Sequence, residues 1–318
     1  MTKFVGRLGT LGVALEASRG VPVAPTYWLP YVTMSFFDKT TTENEEQGMG
    51  VVADNDSVYV TMSMAEGDVE SQLYDNALGY ILSSILGAVP VTTGANPYTH
   101  TFTLSNTNQQ KSLSLYWKDP NFSLMFPLAV VEQLSVTVEA SAIVAWTITF
   151  KAKRSREWSN LTPSFTSLGS KFLHQHLVTK FADSVGALSA ASGISIKNLE
   201  LNINRNTIFD EVIGTAEPED VLGQQLTIEG NMTLNLEDST YKNYMLNGTY
   251  KAMELNLLRS SSSSLDLRFP RVSFNEWEPD FALNEIAKQK INFKANYDAA
   301  NNLDIISTAV LINTKSSY

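Results

Sequence analysis

The sequence predicts a mainly β protein made of two tandem β-sandwich or barrel modules, each with a long hairpin loop and one flanking α-helix. Three observations carry this expectation. Runs of alternating apolar and polar residues, the period of a strand with one buried face, recur along the chain. Charged residues are 18% of the chain against 43% hydrophobic, and Ser, Thr and Asn take up the difference, which suits sheets with a polar, weakly charged surface. One order of segments (strand, acidic loop, strand, helix, strands) is met twice.

In chain order, residues 1–26 are rich in small residues and end at Pro22 and Pro25, which predicts an extended arm. Tyr31–Phe37 alternates as a strand. The polar stretch Thr40–Ser57 follows, holding Glu43, Glu45, Glu46, Asp54 and Asp56, and Val58–Met64 resumes the alternation. Two strands around so long a loop predict a long hairpin with a use, because structureless loops of this length are uncommon. Val69, Leu73, Leu78, Ile81, Leu82 and Ile85 carry helical spacing over residues 68–86, with Asp68 placed to cap the start and Gly87 to stop it. Strands are predicted at Thr99–Leu104, Leu113–Lys118, Ser123–Val131, Leu134–Ala140 and Val144–Lys153.

A Ser-, Thr- and Asn-rich piece with Pro163 marks a boundary. The expected organisation is an arm (1–26), a first module (27–160), a linker or strap (161–193) and a second module (194–318). In the second module Ile194–Asn204 alternates, and an acidic stretch, Thr207–Gln224, holds Asp210, Glu211, Glu217, Glu219 and Asp220. Leu226–Leu234 alternates again, and a short helix is opened by Asp238 and closed by Gly248. Strands follow at Ala252–Leu258, Leu265–Phe274, Lys288–Asp298 and Asp304–Thr314. Tyr74-Asp-Asn-Ala-Leu parallels Tyr241-Lys-Asn-Tyr-Met, and Phe126-Pro127 parallels Phe269-Pro270.

Several chemistries lack their residues. The chain has no cysteine, so disulfides, thiolate metal sites and cysteine nucleophiles are excluded. Its three histidines are His100, His174 and His176, and the sequence has no Gly-x-Ser-x-Gly elbow, Walker loop or dinucleotide fingerprint. His174 and His176 share a face if their segment is a strand, yet only Asp183 lies near as a further ligand. Asp54-Asn-Asp-Ser-Val lacks the glycine and closing glutamate of a calcium loop. No cofactor is expected. The net charge of −10 opposes a groove that grips nucleic acid. No leader or membrane span is read at residues 1–17, so synthesis and folding in the cytoplasm are expected.

The opening Gly6-Arg-Leu-Gly-Thr-Leu-Gly-Val-Ala-Leu-Glu-Ala-Ser-Arg-Gly-Val-Pro, the run Tyr98-Thr-His-Thr-Phe, and the second half from Leu226 through Phe269-Pro270 resemble the phage tail tube proteins of long-tailed, non-contractile phages. The likeness is to the type with two fused halves. It implies tail-tube-type modules whose inner strands form one barrel around a lumen. It also implies homotrimeric, pseudo-hexameric rings stacked into a tube in the virion tail, with tape measure, terminator and initiator proteins as partners. DNA would pass a lumen that does not bind it.

On this reading the acidic residues of the two long loops are candidate contacts between stacked rings, and Thr61, Ser63, Thr227 and Glu229 are candidates to face the lumen. The alternative is a β-sandwich that binds carbohydrate or decorates a capsid or tail. It would want clustered exposed tryptophans, whereas Trp28, Trp117, Trp146, Trp158 and Trp277 are scattered.

Overall fold

The computed structural model describes residues 3–52, 54, 57–107 and 109–318. Asp56 lies outside them. Alternation becomes strand nearly wherever it was read. The first half holds β1 (Thr10–Leu15), β2 (Tyr27–Leu29), β3 (Thr33–Met34), β4 (Phe37–Asn44), β5 (Val58–Gln72), α1 (Asp75–Leu86), β6 (Val91–Gly94), β7 (Tyr98–Phe102), β8 (Leu113–Lys118), β9 (Ser123–Glu139), β10 (Ala145–Lys153) and β11 (Arg156–Glu157). The second holds β12 (Leu177–Ala182), β13 (Ile196–Asn204), β14 (Ile208–Asp210), β15 (Asp220–Leu222), β16 (Thr227–Asn235), α2 (Thr240–Leu246), β17 (Lys251–Ser260), β18 (Ser263–Asp280), β19 (Lys288–Asn296) and β20 (Thr308–Asn313).

All the pairings are antiparallel, and one order is met twice. In the first half it runs β1–β8–β9–β10–β5–β4. In the second it runs β12–β17–β18–β19–β16–β13. Details recur at matching places. Gly67 lies opposite Phe150 and Gly230 opposite Phe293. Each long strand bulges toward its partner in the joint sheet, β9 at Glu132 and β18 at Asn275, and shifts register again on its other side, against β8 and β17. A glycine lets the facing ring lie over the backbone: a Cβ on Gly230 would sit 2.5 Å from the Phe293 ring.

The halves join where β9 pairs with β13, from Asn198↔Glu139 to Asn204↔Gln133. The result is one sheet in the order β4–β5–β10–β9–β13–β16–β19–β18. Among the described strands no series of pairings returns to its start, so no barrel closes within the chain. The main hydrophobic core runs from Leu11 to Leu311 across both halves, with small satellite clusters around Trp28 and around Leu128. Its first-half centre is Phe36, edge-on to Phe126 at 4.9 Å and to Phe150 at 5.9 Å.

The halves are also woven together. β7 pairs with β20, and β20 pairs with residues 264–268 of β18. This encloses α1 so fully that every one of its residues is buried. The α2 helix, packed against β18, has no buried residue.

Four expectations need correction. Residues 1–26 are not an arm throughout, because Leu11, Val13 and Ala14 place β1 in the core. Their turn is closed by Glu16, whose carboxylate accepts from Gly20 N at 2.7 Å where the backbone turns left-handed (φ 76°). The helix starts at Asp75, not Asp68: β5 runs on to Gln72, since Val69 and Leu73 fit a period of two as well as 3.6. Residues 123–139 form one strand, not two. His174 and His176 lie on a 3-10 turn, not a strand, with His176 Nδ1 accepting from Leu173 N at 3.1 Å.

Candidate functional site

One face of the long sheet covers the core; the other is open. Pairing lines up its residues across seven strands. One line reads Glu70, Thr147, Ser135, Asn202, Glu229, Lys294, Ser273. The next reads Gln72, Ala145, Thr137, Glu200, Asn231, Asn292, Glu276. Alternation explains this composition, because the intervening residues, such as Trp146, Ile148, Val136, Leu201 and Met232, are buried.

Small polar groups dominate the open face, and some of its charges are matched within it. Lys294 pairs with Glu229 at 2.5 Å and Lys151 with Glu132 at 2.9 Å. Glu200 accepts from Asn202 at 3.0 Å and Asn231 at 2.9 Å. These bonds hold its carboxyl below the usual range, so it stays charged at neutral pH.

The four residues read as lumen candidates fall in different places. Thr227 and Glu229 stand on the open face, at alternate positions to buried Ile228. Thr61 is exposed at an irregularity in the β4–β5 pairing, its hydroxyl donating to Thr41 O. Ser63 shares the parity of core residue Ala65, and its N–H donates to Ala216 O at 2.7 Å.

The two acidic stretches stand at the same end of the sheet but differ in form. The first shortens to residues 45–57, because β4 takes Glu43 and Asn44. Its tip bears exposed Met49, Val51 and Val52, and Tyr59 donates to Glu45 at 2.8 Å. Glu46 is exposed beside them.

The second stretch folds back over the first half. Its short β14–β15 pair sets Val221 and Phe209 against Leu128 and Val130. Glu217 pairs with Arg154 and Arg156, and Asp220 with Arg19 at 2.8 Å. Glu217 and Asp220 are therefore taken up inside the chain. Asp210 caps the same turn, its carbonyl accepting from Glu219 N at 2.8 Å, while Glu211, Val212 and Ile213 are exposed. At the opposite end the β18–β19 connection exposes Phe281, Leu283 and Ile286.

The sheet also has two free edges. All eight residues of β4 are exposed, and among the described residues β4 pairs only with β5. At the far side, residues 273–280 of β18 pair only with β19. Exposed edges of this length invite further strands. A polar-faced sheet open at both sides can add strands from other copies, and the sequence comparison identifies the family. A family described as phage tail tube protein matches residues 6–299.

The chain belongs to the phage tail tube protein family. It is a structural subunit of the virion tail that assembles with itself into a tube. Nothing among curated proteins matches it. The family's role is structural. Trp28, Trp117 and Trp146 are buried and Trp158 and Trp277 partly so, which leaves no exposed tryptophan platform. No helix among the described residues is long and apolar enough to cross a membrane.

Sequence reasoning missed the cluster that locks α1. His100 is buried between Thr92 Oγ1 (2.8 Å), Asn313 Oδ1 (3.1 Å) and Lys315 O (2.9 Å). Asn313 also donates to Asp75 O and to the Tyr318 hydroxyl. Burial lowers the pKa of His100 and raises those of Asp75 and Tyr318. Apart from Thr92, the partners lie over 200 residues from His100 in sequence, and no local pattern marks them.

Proposed function

We propose that the two halves are two tube modules of common origin, and that copies of the chain close their shared sheet into a barrel around a lumen that passes DNA. One observation carries this reading: eight antiparallel strands in a single sheet, polar on one face and unpaired at both edges. The repeated pairing order, with its matched bulges and glycine–phenylalanine oppositions, supports a duplication.

Three chains would supply twenty-four strands. At about 4.8 Å spacing and about 40° tilt, opposed backbones would stand roughly 45–50 Å apart. That admits a duplex once side chains are allowed for, and it makes a trimeric, pseudo-sixfold ring sufficient. The open face would line the channel. Its Thr, Ser and Asn residues and few free cations, Lys290 among them, give DNA phosphates little to hold.

Rings stack by a heterologous contact, one end of the sheet meeting the other. Val212 and Ile213 at one end and Phe281, Leu283 and Ile286 at the other are the apolar groups that such a contact would cover. Glu211 and Glu219 border that rim. Tape measure, terminator and initiator proteins would meet the same ends in the growing tail.

The test is negative-stain microscopy of the purified chain at high concentration. Hollow tubes with three chains per ring are expected. Monodisperse particles under all conditions would overturn the tube, and six chains per ring would overturn the trimer.

A further inference from the structure

The β9–β13 junction and the loop that crosses it can be compared, residue for residue, with what the far edge lacks. Taking Gly67 with Gly230, Phe150 with Phe293, and bulge with bulge as equivalent fixes the correspondence. At the internal junction Gln133, beside the β9 bulge, pairs with Asn204, and Asn204 Nδ2 donates to Gln133 Oε1 at 3.1 Å. The residue beside the β18 bulge is Glu276. Asn204 lies opposite Thr227, three residues before Gly230; the residue opposite Met64, three before Gly67, is Lys39. Glu276 and Lys39 are both exposed, lie on the two free edges, and carry opposite charge.

The loop after β13 gives a second comparison. It rests on the first half through Ser63 N to Ala216 O (2.7 Å), Lys151 Nζ to Thr207 O (2.8 Å) and the Glu217 pairs with Arg154 and Arg156. The matching positions of the second half are Leu226, Lys294 and Tyr297, and these line an uncovered cavity of about 710 Å³. Arg205 also lines it. Arg205 is only 8% exposed, its Nε has no hydrogen-bond partner, and among the described residues no carboxylate lies within ion-pairing distance of it. A buried guanidinium is costly without an anion. The one carboxylate on the cavity wall, Asp304, accepts from Asn106 at 3.0 Å. Acidic and apolar groups of the kind that fill the internal seat (Glu217, Val221, Phe209) are borne by the β4–β5 hairpin as Glu43, Glu45, Glu46, Val51 and Val52.

Resting on the tube reading, we propose that the contact between neighbouring chains in a ring repeats the contact between the two halves of one chain. β4 of one copy adds antiparallel to the free edge of β18 of the next, with Lys39 opposite Glu276 and Phe37 opposite Glu278. The acidic hairpin of the first copy then lies over the Arg205 cavity of the second. The hairpin thus binds sideways within a ring, and stacking falls to the other rim groups.

Because the chain has no cysteine, the register can be read directly. In the double variant Lys39→Cys, Glu276→Cys, oxidation of assembled tubes should give a reducible ladder of covalent multimers whose last rung is the ring size. The shifted pair Lys39→Cys, Asp280→Cys should cross-link at least tenfold less. Tubes that fail to cross-link at 39 and 276, or that prefer the shifted pair, overturn the register while leaving the tube intact. Failure of the unsubstituted chain to form tubes sinks both readings.

Charge exchange covers the case of a cysteine variant that does not assemble. Lys39→Glu and Glu276→Lys should each impair tube formation at least tenfold, and the double exchange should restore it; a double variant no better than the singles overturns the pairing. For the cavity, hydrogen exchange in residues 44–52 and 57–60 should slow at least tenfold on assembly, and Arg205→Met should abolish that slowing. Equal protection in Arg205→Met tubes overturns the seat.

Discussion

Tyr318 lies against Gly79 so closely that a Cβ on that glycine would meet the phenol ring at 2.1 Å. The ring is also edge-on to Tyr80 at 5.1 Å and to His100 at 4.9 Å. Gly79→Ala should therefore expel Tyr318 and destabilise the chain by about 1–3 kcal/mol, the usual effect of overpacking. Urea denaturation measures it, and adding Tyr318→Ala to Gly79→Ala should cost less than the sum of the two single changes.

His100 should make stability depend on pH. Burial lowers its pKa, so below about 6.5 the unfolded chain binds a proton that the folded chain refuses. Stability is therefore full above that pH and falls as pH drops toward the folded pKa. His176, also lowered by burial, acts with the same sign. Asp75, whose pKa is raised, acts in the opposite sense at lower pH. His100→Gln should flatten the fall in melting temperature between pH 7 and 5; each kcal/mol corresponds to a shift on the order of 2 °C in a chain of this size.

Glu16 is buried and accepts from Ser112 (2.5 Å), Ser114 (2.9 Å), Leu128 N (3.1 Å) and Gly20 N (2.7 Å). Glu16→Ala would strand these donors at about 1–3 kcal/mol for each left unpaired. The expected outcome is loss of folded protein. Glu16→Gln, which keeps an acceptor oxygen, should retain fold at reduced stability, as read by circular dichroism and melting.

Leu283 and Phe281 are exposed in the single chain, so Phe281→Asp with Leu283→Asp should change its stability by no more than about 0.5 kcal/mol each. Tube elongation should fail, leaving short rings in sedimentation and micrographs. Normal tubes would remove these residues from the stacking contact.

Cations added to the open face should make the tube retain DNA. Thr147→Lys, Asn202→Lys and Asn231→Lys lie on two adjacent lines of that face. Tubes of the triple variant should hold DNA in low salt and lose it steeply as salt rises, whereas unsubstituted tubes hold none. Filter retention across a salt series reads both.

Alternation made most strands legible, since one face of each lies on a core and the other on water. The junctions that matter for assembly were not. The end of β5 hid inside an apparent helix because Val69 and Leu73 satisfy two periods at once. The β7–β20 pairing and the His100 cluster join positions over 200 residues apart and leave no local trace. The acidic loops were visible as composition, but only coordinates separate Glu217 and Asp220, engaged within the chain, from Glu43 and Glu46 on the projecting hairpin.

The weave of β7 with β20 also sets a clock on synthesis. When Phe102 leaves the ribosome, its partner Ala309 has yet to be made. At about 5–20 residues per second, the wait lasts roughly 10–40 s. Until then α1 lacks part of its cover, and the sheet meant to meet neighbouring copies has no finished support. The enclosure of α1 is therefore completed only once β20 has been made.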